Sequence, residues 1–173
     1  MSPNTKPAVK VAGAAAVAGT VAWLAIATPF TAAFEGYARK PYVDTVGTGH
    51  PITWCYGETK ADGTPVPPMS AVFSKDQCTA QLQQKLANVY YPPIAKCIPA
   101  KYLTPHRTAA LVDFAYNLGP AAVCTGPVGR YIAAGNVAAG CRAMLAYDHA
   151  NGVRLAGLTR RRQADYAYCV RND

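Results

Sequence analysis

Six cysteines, at positions 55, 78, 97, 124, 141 and 169, constrain this chain more than any other feature. Their number is even, and neighbouring ones stand at least 17 positions apart. No C-x2-C pair occurs, and His50, His106 and His149 are scattered, which argues against a zinc site. No metal and no cofactor is expected. Six well-spaced cysteines in a chain of 173 residues read as three disulfides, hence an oxidising compartment. Spacing alone leaves the pairing of Cys55, Cys78, Cys97, Cys124, Cys141 and Cys169 open.

The length suits one compact domain. A net charge of +8 and a pI near 9.3 suit a polyanionic partner: nucleic acid, an anionic membrane surface or an acidic wall polymer. Charge does not choose among them. Arg160-Arg161-Arg162 invites a nucleic-acid reading, yet three consecutive helical residues fan around the circumference and form no single stripe. A structural ion pair for one Arg and general attraction to wall polymer for the others is the expectation, with no nucleic acid as partner.

From Val11 to Phe34 the chain runs for 24 residues without a charge, enough to span a bilayer as a helix. Half of these residues are Ala or Gly, and only Leu24, Ile26, Phe30 and Phe34 are large aliphatic or Phe residues. Such a span inserts weakly. Three readings fit: a cleaved signal peptide cut near Thr31-Ala32-Ala33, a permanent anchor, or a signal-anchor that later leaves the bilayer. The cysteines put the body on the oxidising side, the periplasm of a bacterium. Residues 1–34 are therefore read as an N-terminal leader, its fate among these three left open, and residues 35–173 as the functional domain.

The body reads as α+β, mostly helical with a small β-hairpin region near its start. "GTGHPITWCYGETKADGTPVPP" has the Gly, Thr and Pro content of a hairpin and its loops. Ser74 to Gln77 forms an S-x-x-Q capping box that opens a helix of about four turns. Thr104-Pro105 starts another, with Ala109, Ala110, Leu111, Phe114, Ala115 and Leu118 at helical spacing and Gly119 closing it. Two short helices, Thr125 to Ala134 and Val137 to Tyr147, a turn at Asn151-Gly152 and a last helix from Leu158 to Val170 complete the reading.

The chain has only two glutamates, Glu35 and Glu58, and Glu35 follows the uncharged run directly. Phe34, Tyr37 and Tyr42 make its surroundings apolar, while Asp44 opens the Gly-rich hairpin in a more solvated place. Two carboxylates in unlike environments fit an acid and a base, the requirement of glycosidic bond cleavage. Spacing alone is a weak signal, since Glu-x8-Asp recurs by chance, and on it a helix-end Glu and a turn Asp are the better reading.

"EGYARKPYVD" resembles the E-G-x-x-x-K-P-Y-x-D signature of the phage lysozymes, the endolysin family with a Glu-x8-Asp-x5-Thr catalytic set. "AALVDFAYNLG" resembles that family's core helix and "GLTRRRQADYAYC" its C-terminal helix, in the right order and at the right separations. The resemblance implies a lysozyme-like fold and hydrolysis of the β-1,4 bond between N-acetylmuramic acid and N-acetylglucosamine in peptidoglycan, during host lysis. It implies Glu35 as general acid, Asp44 as the carboxylate that handles the attacking water, and Thr53 as the family's Thr. Eight residues separate Asp44 from Thr53 here instead of five, and Thr48 competes with Thr53 for the role. Tyr37 and Tyr42 are the candidate sugar-binding residues.

The resemblance also implies the pairings Cys55–Cys78, Cys97–Cys124 and Cys141–Cys169. The leader resembles that of the signal-anchor-release endolysins, which implies a monomer tethered, inactive, to the inner membrane through residues 11–34 and then released to the periplasm. A lytic transglycosylase using Glu35 alone and a non-catalytic peptidoglycan-binding protein are the alternatives.

Overall fold

The computed structural model describes residues 14–45, 49–60 and 65–173, with side chains from residue 22 onward. Thr48, Val11 and Ala12 lie outside the described residues. Helix α1, Ala14–Glu35, runs unbroken across the division expected after residue 34. It does not lie apart from the body. Trp23, Ala27, Phe30 and Thr31 are buried, and the helix packs on α4, Pro105–Leu118. Two aromatic stacks secure it: Trp23 on Tyr91 with ring centroids 4.7 Å apart, and Phe30 on Tyr168 at 4.4 Å. No helix among the described residues is long and apolar enough to cross a membrane.

Strands β1, Ala38–Val43, and β2, Ile52–Cys55, form the expected antiparallel hairpin, with Tyr42 opposite Thr53 and Val43 opposite Ile52. Asp44 extends the pairing by donating its N–H to the Pro51 carbonyl at 2.9 Å. Helix α2, Lys75–Lys85, starts at the capping box read from Ser74 and Gln77, and both reciprocal hydrogen bonds are present.

It does not stop after four turns, as expected from sequence. The chain widens into a π-helical turn, Leu86–Tyr90, and continues as α3, Tyr91–Cys97. Pro92 and Pro93 explain the widening. Neither has an N–H to return to the preceding turn, and Tyr91 reaches back five residues to the Leu86 carbonyl instead.

Helix α4 starts at Thr104-Pro105, as its sequence predicts, and Gly119 closes it at φ 84°. Every residue from Arg107 to Phe114 is buried, as is Ala115, so the helix is wrapped on all sides. Leu118 departs from the expected stripe and is 38 % exposed, because the helix has left the core by its last turn. A short α5, Pro120–Cys124, not anticipated from sequence, precedes α6, Pro127–Ala133, and α7, Val137–Ala143. Asn151 and Gly152, both at positive φ, turn the two-residue strands β3, His149–Ala150, and β4, Val153–Arg154. Helix α8, Ala156–Cys169, packs on α4.

All three disulfides join the pairs that the resemblance implied. Cys55–Cys78 ties β2 to α2, Cys97–Cys124 ties α3 to α5, and Cys141–Cys169 ties α7 to α8. Cα–Cα distances of 5.0, 5.6 and 5.5 Å suit the bond without backbone displacement. Loops of this size correspond to about 3–4 kcal/mol each in the chain-entropy account. The architecture is thus α+β, mostly helical with a small sheet, and disulfide-braced.

Candidate active site

Glu35 is the last residue of α1, and Gly36, at φ 74°, stops the helix in a conformation that side chains rarely adopt. The carboxyl therefore stands where helix meets hairpin. It lines a cavity of about 220 Å³ with Gly36, Tyr37, Ala38, Tyr42, Cys55 and Gly57. Tyr37 and Tyr42 are 41 % and 46 % exposed, as rings offered to a ligand would be. Tyr37 is held in place by its hydroxyl, which donates to the Phe73 carbonyl at 2.6 Å.

Gly57 borders the acid's second oxygen. A Cβ there would lie 3.4 Å from Glu35 Oε2, and its φ of 82° already disfavours a side chain. Tyr116 fixes this corner by donating to the Tyr56 carbonyl at 2.5 Å.

Asp44 and Thr53 are not among the residues that line this cavity. They sit on the hairpin beside it. Thr53 lies directly opposite Tyr42 across the strand pair, and directly paired residues share a face. Asp44 follows Tyr42 by two positions, just past the end of β1, where its N–H still bonds across to the Pro51 carbonyl. The Thr53 hydroxyl is buried and makes no hydrogen bond among the described residues. A buried hydroxyl without a partner is costly and calls for an explanation.

The acid's electrostatics come from three helices. Burial pushes the Glu35 carboxyl above the usual carboxylate range, and Arg161 opposes this without cancelling it. Arg161 Nη1 is 2.7 Å from Glu35 Oε1. The same guanidinium donates through Nε and Nη2 to Asp113, at 2.9 and 3.0 Å. Burial disfavours its charge, but the hydrogen bonds it donates to Asp113, with the charges of Asp113 and Glu35, outweigh that and hold Arg161 protonated. Behind it Arg162 Nε meets Asp165 Oδ2 at 2.9 Å, with both side chains buried. On the far side, Lys85 at the end of α2 is 3.2 Å from Glu58 Oε2, a pair also buried.

Two of the three consecutive arginines are thus buried in ion pairs, one more than expected; Arg160 lines a separate cavity beside Phe34. Sequence reasoning passed over Asp113, although its signal was there. A lone carboxylate inside the apolar run "AALVDFAYNLG" requires a buried cation, and the Arg cluster is the nearest supply in composition. Lys85 carried no comparable signal, since it reads as an ordinary basic residue in a helix's last turn.

Comparison with known proteins agrees with this frame. The family model described as phage lysozyme matches residues 32–165. A SAR-endolysin of Bacteriophage PS119 is 30 % identical over 139 residues, covering 79 % of this chain and 76 % of that protein. One of Enterobacteria phage PA-2 is 29 % identical over 171 residues, covering 95 % and 96 %. Among solved structures, a mutant of P22 lysozyme superposes with a TM-score of 0.72 at 22 % identity, covering 84 % of this chain and 96 % of that one. The fold match shows lysozyme-like architecture, and the match over residues 32–165 shows the family. The chain belongs to the phage lysozyme family of glycoside hydrolases.

Proposed function

We propose that this protein is an endolysin that cleaves the β-1,4 bond between N-acetylmuramic acid and N-acetylglucosamine in peptidoglycan, with Glu35 as general acid. The observation that carries the reading is the setting of that carboxyl. Burial raises its pKa above the usual carboxylate range, and it lines a cavity together with two exposed tyrosines. Two further cavities, one also lined by Tyr37 and one lined by Phe34 and Arg161, next to Glu35 in sequence or contact, offer room for a polymer that continues past the scissile bond.

In this reading Glu35 gives its proton to the glycosidic oxygen as the bond to the muramic anomeric carbon breaks. Asp44 takes a proton from the water that attacks that carbon, and the unpartnered Thr53 hydroxyl holds the same water. The products then carry reducing muramic ends. Mass spectrometry of fragments released from purified peptidoglycan by the full chain reads this directly. Anhydro-muramic ends would make the protein a transglycosylase and remove Asp44 and Thr53 from the chemistry.

The proposal extends to regulation. The docked α1 supplies both Trp23 and Phe30 to the core and Glu35 to the cavity, so the same segment cannot also lie in a bilayer. Burying one large apolar side chain is worth about 1.5–3 kcal/mol, which favours docking once the weakly held segment leaves the membrane. Tethering at the inner membrane through residues 11–34 would misplace the acid, and depolarisation would release the segment to the periplasm and assemble the cleft. A chain with added Leu residues in this segment should stay membrane-bound and fail to lyse cells. Full-rate lysis by that variant would refute the tethered, inactive state.

A further inference from the structure

Arg161 poses a problem for the acid. A guanidinium 2.7 Å from Glu35 Oε1 stabilises the carboxylate, and so acts against a group that must carry a proton when the substrate arrives. How its donors are shared resolves the conflict. Two of them, Nε and Nη2, are given to the two oxygens of Asp113 at 2.9 and 3.0 Å, and only Nη1 reaches Glu35. A fork matched by a fork is the geometry in which an arginine's charge is best neutralised. Asp113 is wholly buried in the middle of α4, where an ionised carboxylate persists only with such a partner.

We propose that Asp113 is a positioning residue for the acid: it takes up the charge of Arg161 and fixes its plane, so that Nη1 orients Glu35 without stripping its proton. The inference rests on the reading of Glu35 as the general acid.

Other charges also stand close to Glu35 and Arg161. On α8, Arg162 faces Asp165 at 2.9 Å, and burial and the neighbouring Asp113 push the Asp165 carboxyl well above the usual carboxylate range, so that Asp113 is the one of the two that carries the charge. On α2, Lys85 is held by Glu58 at 3.2 Å. The Phe34 ring lies under the Arg161 guanidinium at 5.3 Å and brings no charge. Among the described residues, Asp113 both accepts hydrogen bonds from Arg161 and acts on Glu35. Burial and Asp113 push the Glu35 carboxyl up, while Arg161 and Lys85 pull it down. With Asp113 neutral, the whole charge of Arg161 would fall on Glu35.

The test is the pH dependence of kcat/KM on purified peptidoglycan for the wild type, Asp113→Asn and Glu35→Gln. In Asp113→Asn the alkaline limb should move down by about one pH unit or more, the size of shift that an uncompensated cation produces. Activity should then fall about ten-fold at neutral pH and recover towards wild type in mild acid, a profile that loss of structure alone does not give. Asp113→Asn, Arg161→Met in one chain leaves neither group uncompensated and carries the test if the single variant does not fold. Its limb should lie at or above the wild-type position.

A folded Asp113→Asn variant with the wild-type profile, an equal loss at every pH, or a double variant whose limb lies below wild type would overturn the inference. An inactive Glu35→Gln beside an unshifted Asp113→Asn would refute the role of Asp113 alone. An active Glu35→Gln would remove the general acid itself, and this inference with it.

Discussion

Replacing Glu35 by glutamine is expected to lower peptidoglycan hydrolysis by about 10²–10⁴-fold, the usual contribution of a positioned general acid. Glutamine keeps the shape and an oxygen that can accept from Arg161 Nη1, so the loss belongs to the missing proton and not to a rearranged site. Stability separates the two explanations. The folded-state pKa of Glu35 is raised, so its contribution to stability is complete below the ordinary carboxylate pKa and is lost as pH rises through the folded value. The amide does not ionise and escapes that loss. Glu35→Gln should therefore unfold no more easily than wild type at pH 8. Activity within ten-fold of wild type in a folded Glu35→Gln variant would rule out Glu35 as the acid.

The second glutamate should behave in the opposite way. Glu58 and Lys85 are 3 % and 7 % exposed and 3.2 Å apart, between β2 and the end of α2. Lys85→Met leaves the carboxylate buried without its lysine, a change that costs about 3–5 kcal/mol in other buried pairs. In a chain of this size that corresponds to a fall in Tm of about 10 °C, measured with the disulfides intact. Replacing both residues by methionine and leucine removes the stranded charge and should restore most of the loss. Equal destabilisation by the single and double changes would mean that packing of the Lys85 stem, and not charge, is what the site requires. Glu35 and Glu58 thus separate cleanly, one silencing activity with the fold intact, the other weakening the fold.

Much of this was legible in the residues. The capping box at Ser74, the start at Thr104-Pro105 and the Asn151-Gly152 turn are local chemistry, and each stands where its residues place it. The disulfides became legible only through the family resemblance, because spacing does not order six cysteines into pairs. The continuation of α2 into α3 was hidden for a physical reason. Pro92-Pro93 reads as a helix stop, yet a π-helical turn lets the chain pass through it. The proximity of Asp113, Arg161 and Glu35 was hidden by distance along the chain. Three helices far apart in sequence supply them, and no local pattern encodes that meeting. The placement of Thr53 beside Tyr42 followed from strand register, which the long hairpin loop obscured.

The burial of Ala27 has a consequence for how this N-terminal helix can change. Ala27 is wholly enclosed in the core that α1 helps to form, so a larger residue there would overpack it. In the proposed life cycle the same stretch also faces lipid, where larger aliphatic residues would grip the bilayer and never let go. Two unlike interiors then judge each position in turn, and both reject bulk for different reasons. Small side chains are the compromise acceptable to both, which accounts for the Ala- and Gly-rich character of a segment that at first sight resembles a poor anchor. Cutting it away at Thr31-Ala32-Ala33 would discard Trp23, Ala27 and Phe30 from the hydrophobic interior. The leader is, in this light, a structural member of the folded enzyme, whatever membrane stage the proposal gives it first.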